Sequence, residues 1–163
     1  MERGLMIMGK QRQEMIDKVR AAIEDRATWF ALLYKKFKEA LPEDEVEKLA
    51  RKAIYEFGRL KAEKDPEDFS PKDWVQRHVE KGSALIFDSD VEVNEESAVQ
   101  KMKYCALIEA WKKMGCGREE IDLFCDIAME GDRGRADAHG VRMELEERMG
   151  KGDPYCNLKI FCK

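Results

Sequence analysis

Residues 104–126 read YCALIEAWKKMGCGREEIDLFCD, and this stretch decides the fold. Its apolar residues recur at intervals of three and four on both sides of a Gly115-Cys116-Gly117 break. That spacing is typical of two short helices that each bury one face. The recurring positions are Leu107, Ala110, Trp111 and Met114, then Ile121, Phe124, Cys125 and Ala128. The stretch therefore predicts a pair of helices packed on the core, with Cys125 pointing inward.

Cys105 lies where an alternating segment ends and the first of these helices begins. The backbone N–H groups at the start of a helix have no partner within the helix, and they can stabilise a thiolate. We therefore expect Cys105 to be the more reactive of the two thiols.

The sequence before this stretch predicts helices. Residues 11–41 keep helical spacing of apolar side chains, although Arg26 interrupts the stripe and predicts two helices or a kink. A proline followed by three acids begins a second helix over residues 42–60. A Ser-Pro-Lys-Asp start and a closing glycine bound a third helix over residues 70–82.

Strands are predicted on both sides of the helical pair. Residues 84–93 and 97–104 form one expected hairpin, and alternation in residues 141–145 and 156–162 predicts a second. Between the helical pair and the second hairpin, residues 131–140 are polar and glycine-rich, which predicts a loop.

We therefore expect an α+β fold, with N-terminal helices followed by a four-stranded antiparallel sheet and a helical pair inserted between its two hairpins. The chain has 163 residues, enough to bury a core without disulfides or a structural metal. We predict a single domain over residues 1–163, in which residues 1–82 form the helical part and residues 83–163 the sheet with the helical pair.

Charge and cysteine content restrict the function. Thirty basic and 34 acidic side chains give a net charge of −4 in mixed sign, so we expect no nucleic-acid partner. The apolar run at residues 5–8 is too short for a signal peptide or a membrane span, which predicts a cytoplasmic protein with no membrane partner. Five cysteines cannot all pair, so reduced thiols are expected.

Cys105, Cys125 and Cys156 are the candidate site thiols. Two of them are predicted to face inward and the third lies at a strand-to-helix junction, so the three can converge. Three thiolates with Asp126 or a histidine could hold zinc or iron, although their separations match no compact zinc motif. The alternative is that buried cysteines act as small hydrophobic residues.

Arg133, Arg135 and His139 lie in the predicted glycine-rich loop. Such a loop can close over an anionic ligand, because arginine can hold a carboxylate through two parallel hydrogen bonds. The alternative is a solvated loop. Trp111, on the inner face of its helix, either contacts a substrate or fills the core.

Three motifs resemble the L-2-amino-thiazoline-4-carboxylic acid hydrolase family. Cys105–Trp111 resembles the family's Cys-Pro-Leu-hydrophobic-Glu-Ala-Trp segment, with Ala106 in place of the proline. Leu123–Asp126 resembles its following Cys-acid helix. Residues 146–160 resemble its closing charged strand, Gly-Asp turn, cysteine and alternating strand. The likeness covers about residues 84–162.

The resemblance implies a hydrolase for a small sulfur- and nitrogen-containing heterocycle or a related carbon–nitrogen substrate. In the family's named reaction, water opens 2-amino-thiazoline-4-carboxylate to a carbamoyl-cysteine. We expect Cys105 to act as nucleophile or ligand, Cys156 and Cys125 to complete the pocket, and Asp126 or Asp153 to move protons. Asp153 is alternatively an ordinary turn residue. A cysteine nucleophile and a metal-bound hydroxide predict the same cluster.

A second function class remains open. The Gly-Asp-x-x-Cys hairpin is more distantly similar to vinyl-reductase-type small-molecule sensor domains, whose zinc ligands include cysteines at a helix start and in the last strand. Those domains have a further cysteine upstream of the Gly-Asp turn, where this chain has Glu146–Met149. The alternative is thus a non-catalytic small-molecule-binding or sensor domain with a cysteine-rich pocket that could hold a metal. An inactive family member and a homo-oligomer are also compatible with the sequence.

Overall fold

The computed structural model describes residues 2–162, with side chains from residue 9 onward. The apolar side chains at residues 5–8 lie outside the described part. The helices and strands, in chain order, are α1 (Glu2–Lys38), α2 (Glu43–Ala62), α3 (Pro71–Glu80), α4 (Ser83–Ile86), β1 (Ser89–Val93), β2 (Ser97–Met102), α5 (Ala106–Lys113), α6 (Arg118–His139), β3 (Arg142–Leu145) and β4 (Cys156–Phe161). A single 3₁₀ turn, Met149–Lys151, lies between β3 and β4.

The four strands form one antiparallel sheet in the order β1-β2-β4-β3. The alternation predicted for the last strand is confirmed, because Cys156, Leu158 and Ile160 of β4 are buried while their neighbours are half-exposed. Since α5 and α6 separate the β1–β2 hairpin from β3 and β4, the predicted α+β fold is confirmed.

Two groups of buried side chains form the core. The first joins α1, α2, α5 and α6, and includes Trp111 and Phe124. The second lies against the sheet and includes Phe69, Trp74 and Ile160. Helix α5 therefore packs against α1, whereas α6 packs against α2 and, through Met129 and Ala136, against the sheet.

Helices α2 and α6 approach so closely that their backbones touch. A Cβ atom added to Gly58 would lie 1.9 Å from the carbonyl oxygen of Gly131, and one added to Gly134 would lie 2.1 Å from that of Tyr55. Only glycine leaves room for backbone at these positions.

Three sequence-based boundaries were wrong. Residues 131–139 belong to α6 rather than a loop, because Gly131 and Gly134 serve the close crossing with α2. The first helix continues through Arg26 without a break. Residues 83–86 form the short helix α4 instead of the start of a strand, after Gly82 takes a left-handed conformation with φ of 72°.

None of the helices in the described part of the chain combines the length and the apolar character that crossing a membrane requires.

Candidate functional site

Cys105 occupies the N-cap position of α5, in extended conformation with φ of −141° and ψ of 110°. Burial raises the pKa of its thiol to about 11. The N–H groups of Ile108 and Leu107 oppose this rise, as does the guanidinium of Arg26. The resting thiol is therefore neutral, but it lies among groups that favour a thiolate.

The structure places the sulfurs of Cys125 and Cys156 near that of Cys105. Burial raises the pKa of Cys125, negative charge on Cys105 or Cys156 would raise it further, and the guanidinium of Arg148 lowers it. Burial also raises the pKa of Cys156, whose Sγ accepts a hydrogen bond of 3.4 Å from the N–H of Met149. The three thiols thus share one interior region formed by α5, α6 and β4.

The prediction of a zinc or iron site on Cys105, Cys125 and Cys156 is not supported. No set of three or more His, Cys, Asp or Glu residues among the described side chains is arranged to hold a metal ion. Contacts within the protein explain the positions of two of the sulfurs. The sulfur of Cys156 accepts a hydrogen bond from the N–H of Met149, and the side chain of Cys125 packs against Gly150. A Cβ on Gly150 would lie 2.9 Å from the sulfur of Cys125.

Asp126 is surrounded by three arginines. Its carboxylate lies 2.8 Å from Arg51 and 2.7 Å from Arg133, and it also pairs with Arg148. Burial would raise the pKa of Asp126, but the hydrogen bonds from Arg133 and Arg51 outweigh it and hold the pKa at about 2. This arrangement suits an ionised anchor between helices better than the predicted acid or base.

Asp153, the other predicted proton carrier, accepts a hydrogen bond of 2.9 Å from the backbone N–H of Arg148. This contact is what a turn residue makes, because a short carboxylate side chain can satisfy a nearby backbone donor. The contact agrees with the structural alternative considered for Asp153.

The predicted substrate-binding loop does not exist as a loop, because Arg133, Arg135 and His139 lie on α6. Arg135 donates two hydrogen bonds to Asp65, at 2.6 and 2.9 Å, and His139 Nε2 lies 3.0 Å from the same carboxylate. Arg133 is held by Asp126 and by Glu130 in the same helix. All three side chains are thus bound within the protein: Arg135 and His139 fasten α6 to the α2–α3 connector, and Arg133 is held within α6.

Trp111 fills the core. Its side chain is 1% exposed, its Nε1–H donates a 3.0 Å hydrogen bond to the carbonyl oxygen of Ala27, and its ring meets Phe124 edge-on. Of the two roles considered for Trp111, the described contacts are those of a packing residue.

Sequence analysis does not select Arg26, although its charge reaches Cys105. A signal was present, since Arg26 interrupts the apolar stripe of α1. Sequence analysis also misses Asp65. The side chain of Asp65 is 2% exposed and binds Arg77, Arg135 and His139. Asp65 lies in a uniformly charged connector, where nothing marks it as buried.

Comparison with known proteins gives one family. The model of the L-2-amino-thiazoline-4-carboxylic acid hydrolase family matches residues 20–160. The match therefore extends through the helices α2 and α3 and the C-terminal half of α1, well beyond the C-terminal motifs that first indicated it. No curated protein sequence matches the chain.

Among solved structures, the fold is similar to trafficking protein particle complex subunit 3 from Naegleria fowleri, in a crystal structure where that protein is covalently bound to palmitic acid. The TM-score is 0.55 at 11% sequence identity, and the alignment covers 85% of this chain and 95% of that one. At this identity the likeness concerns the fold alone.

Proposed function

The chain belongs to the L-2-amino-thiazoline-4-carboxylic acid hydrolase family, and from this membership we propose that it hydrolyses a small sulfur- and nitrogen-containing heterocycle such as 2-amino-thiazoline-4-carboxylate. The proposal assigns the reaction to the region of Cys105, Cys125 and Cys156, with Cys105 as the nucleophile.

The observation that carries the proposal is the position of Cys105 at the start of α5, inside the matched segment. Cys105 is half-buried, and the N–H groups of Leu107 and Ile108 in its own helix act on its sulfur, whereas Cys125 and Cys156 are buried in packing contacts. A neutral thiol can still react if its proton passes to the basic, amidine-like ring nitrogen during the attack.

The reaction balances with water alone. The sulfur of Cys105 bonds to the ring carbon that bears the amino group, and the bond from that carbon to the ring sulfur breaks. The freed sulfur takes a proton, which leaves an isothiourea-type adduct on Cys105. Water then adds to the same carbon, the bond to Cys105 breaks, and carbamoyl-cysteine leaves while the thiol regains its proton.

The test is hydrolysis of 2-amino-thiazoline-4-carboxylate by the purified protein, followed through release of the product thiol. We expect Cys105→Ser to lower kcat/KM by roughly 100-fold or more, because the nucleophile is lost. Cys162→Ser is the matched control, since Cys162 is exposed and should leave the rate unchanged.

Rapid quenching and intact-mass measurement complete this test. A transient adduct with the mass of the substrate should form on the native protein and be absent from Cys105→Ser. Full activity of Cys105→Ser would contradict the assignment of Cys105, and no turnover by the native protein would contradict the hydrolase proposal.

A second candidate is a non-catalytic binding domain. Two observations support this candidate. The similar structure from Naegleria fowleri is covalently bound to palmitic acid, and this chain has buried thiols between its helices and its sheet. This candidate predicts that the native protein, isolated from cells, carries an adduct that hydroxylamine removes. An adduct-free protein that turns over the heterocycle would exclude it.

A further inference from the structure

Helix α1 has an inner face that packs on the core of the protein. This face includes Ala27, Ala31 and Tyr34, which are buried in the core group that joins α1 to α5 and α6. Their spacing of four and three residues places them on one side of the helix. The rest of the helix circumference is therefore open to other contacts.

A second row of side chains, the outer stripe, runs along the solvent side of α1. Its members recur every three or four residues and are all exposed: Met15, Val19, Ala22, Arg26, Trp29 and Leu33. At about 100° per residue, the outer stripe lies roughly 120° around the helix from the inner face. Five of its six members are apolar, although none of them is buried in the core of this chain.

The spacing of the outer stripe is that of a coiled coil. Steps of four, three, four, three and four residues place its members alternately at the two inward positions of a seven-residue repeat. In such a repeat, each side chain packs into a hole between four side chains of a facing helix. Trp29 is 68% exposed, whereas a side chain of this size is normally well buried. The outer stripe therefore favours a helix as its partner.

The outer stripe complements a second copy of itself that runs in the opposite direction. With the two-fold axis beside Glu24, the facing pairs between the two copies are Met15 with Leu33, Val19 with Trp29, and Ala22 with Arg26. The small Ala22 leaves room for the long stem of Arg26, and Val19 leaves room for the larger ring of Trp29. Every apolar member within residues 15–33 thus faces another member of the outer stripe.

The charge of Arg26 selects the same arrangement. Neither Arg26 nor Asp25 forms a salt bridge with the described side chains of its own chain. In the antiparallel pair, Asp25 of the second copy lies about 4.5 Å along the helix axis from the position that faces Arg26, within reach of its guanidinium. A parallel pair would instead place the two Arg26 side chains against each other.

We propose that two copies of this chain associate through the outer stripe of α1, as an antiparallel coiled coil with two-fold symmetry. The paired residues 15–33 span about 27 Å of helix. Standard interfaces use roughly 20–30 residues on each side, and this stripe with its flanking positions provides fewer, so we expect a dissociation constant on the order of 10 μM.

Sedimentation equilibrium between about 1 and 300 μM measures this association. We expect the mass of the native protein to rise from monomer to dimer over this range. Leu33→Glu should raise the dissociation constant about 10-fold or more, because it places a carboxylate in the apolar stripe. Leu85→Glu is the matched control, since Leu33 and Leu85 are both 42% exposed and Leu85 lies on α4. Circular dichroism should show equal helix content in both variants, because glutamate favours helix.

A charge exchange tests whether the partner is a second copy. Asp25→Arg and Arg26→Glu should each weaken association about threefold or more, and the double variant should regain the native affinity, because both partners of each pair have then changed sign. Adjacent positions of one helix do not face each other, so a contact within one chain would not produce this recovery. A double variant as weak as the single ones would overturn the pairing of Arg26 with Asp25.

Disulfide formation tests the direction of the two helices in a Cys162→Ser background, which removes the exposed native thiol. Met15→Cys combined with Leu33→Cys should give a covalent dimer on oxidation. Each substitution alone should not, because the two copies of one position lie about 27 Å apart in the antiparallel pair. Covalent dimers of either single variant would overturn this direction. A monomer at every concentration, or equal effects of Leu33→Glu and Leu85→Glu, would overturn the dimer and leave the outer stripe to another protein or a lipid surface.

Discussion

At the scale of single residues, the chemistry of this protein depends on how its thiols are protonated. A guanidinium acts on each of the two thiols, Arg26 on Cys105 and Arg148 on Cys125, yet of the two only Cys105 also has backbone N–H groups acting on its sulfur. Desolvation raises the pKa of a thiol and nearby positive charge lowers it. A ligand that adds hydrogen bonds or displaces water at Cys105 can therefore change its reactivity more than that of Cys125.

The pKa of Cys105 predicts slow alkylation in the resting protein. With a pKa of about 11, only about 0.1% of the Cys105 thiol is ionised at pH 8. Iodoacetamide should therefore modify the exposed Cys162 first, and the rate at Cys105 should rise about tenfold per pH unit between pH 8 and pH 10. Peptide mapping by mass spectrometry gives both rates, and fast labelling of Cys105 at pH 7 would contradict the raised pKa.

At the scale of helices and strands, the sequence predicted those elements whose signal is local. The Ser70-Pro71-Lys72-Asp73 start of α3 is confirmed, together with its capping box. The alternation of apolar and polar residues in β4 correctly predicted which face of that strand is buried. The same reasoning failed for residues 131–139, where glycines and polar residues indicated a loop. Those glycines are required by contact with α2, more than 70 residues away, and a local pattern does not contain that information.

The close contact between α2 and α6 predicts that adding one methyl group at Gly58 strongly destabilises the fold. Gly58→Ala would place a Cβ 1.9 Å from the carbonyl oxygen of Gly131, so the two helices must separate. We expect the free energy of unfolding to fall by roughly 3 kcal/mol, at the upper end of overpacking effects. Urea unfolding measures this loss as a lower midpoint.

Gly9→Ala is the control for the crossing, because a Cβ on Gly9 of α1 meets nothing within 4 Å. There the substitution improves helix propensity, and we expect a gain of up to about 1 kcal/mol. If both variants lost stability equally, backbone flexibility rather than close packing would explain the result.

At the scale of the whole molecule, ion pairs between distant segments hold the helices together. Asp126 of α6 pairs with Arg51 of α2 and with Arg148 of the segment before β4. Asp65, in the α2–α3 connector, pairs with Arg135 of α6 and with Arg77 of α3. The sequence shows abundant charge but not which charges meet, because the partners in these networks lie up to about 80 residues apart. This is why the fold class and the inward Cys125 could be predicted, while Asp65 and the paired state of Arg133 could not.

The Asp126 network predicts how the protein responds to acid. The pKa of Asp126 is held at about 2, below its ordinary value of 3.8, so the folded state holds the proton less tightly than the unfolded state. The stability that Asp126 contributes is therefore fully present above about pH 4 and is lost as the pH falls through about 2. Asp126→Asn removes this contribution at every pH.

We expect Asp126→Asn to lower the free energy of unfolding at pH 7 by about 1–2 kcal/mol, a figure reduced by solvent screening because the Asp126 side chain is 25% exposed. The difference from the native protein should shrink as the pH falls from 4 to 2, since protonation then removes the same charge from both. Urea midpoints between pH 2 and 7 measure this difference in the free energy of unfolding.

Asp90→Asn is the control, because the carboxylate of Asp90 is 63% exposed and pairs with Lys103. This substitution should lower the free energy of unfolding by less than about 0.5 kcal/mol. A loss at Asp126→Asn that stayed constant down to pH 2 would show that packing around the side chain, rather than its charge, stabilises the junction between α2, α6 and the segment before β4.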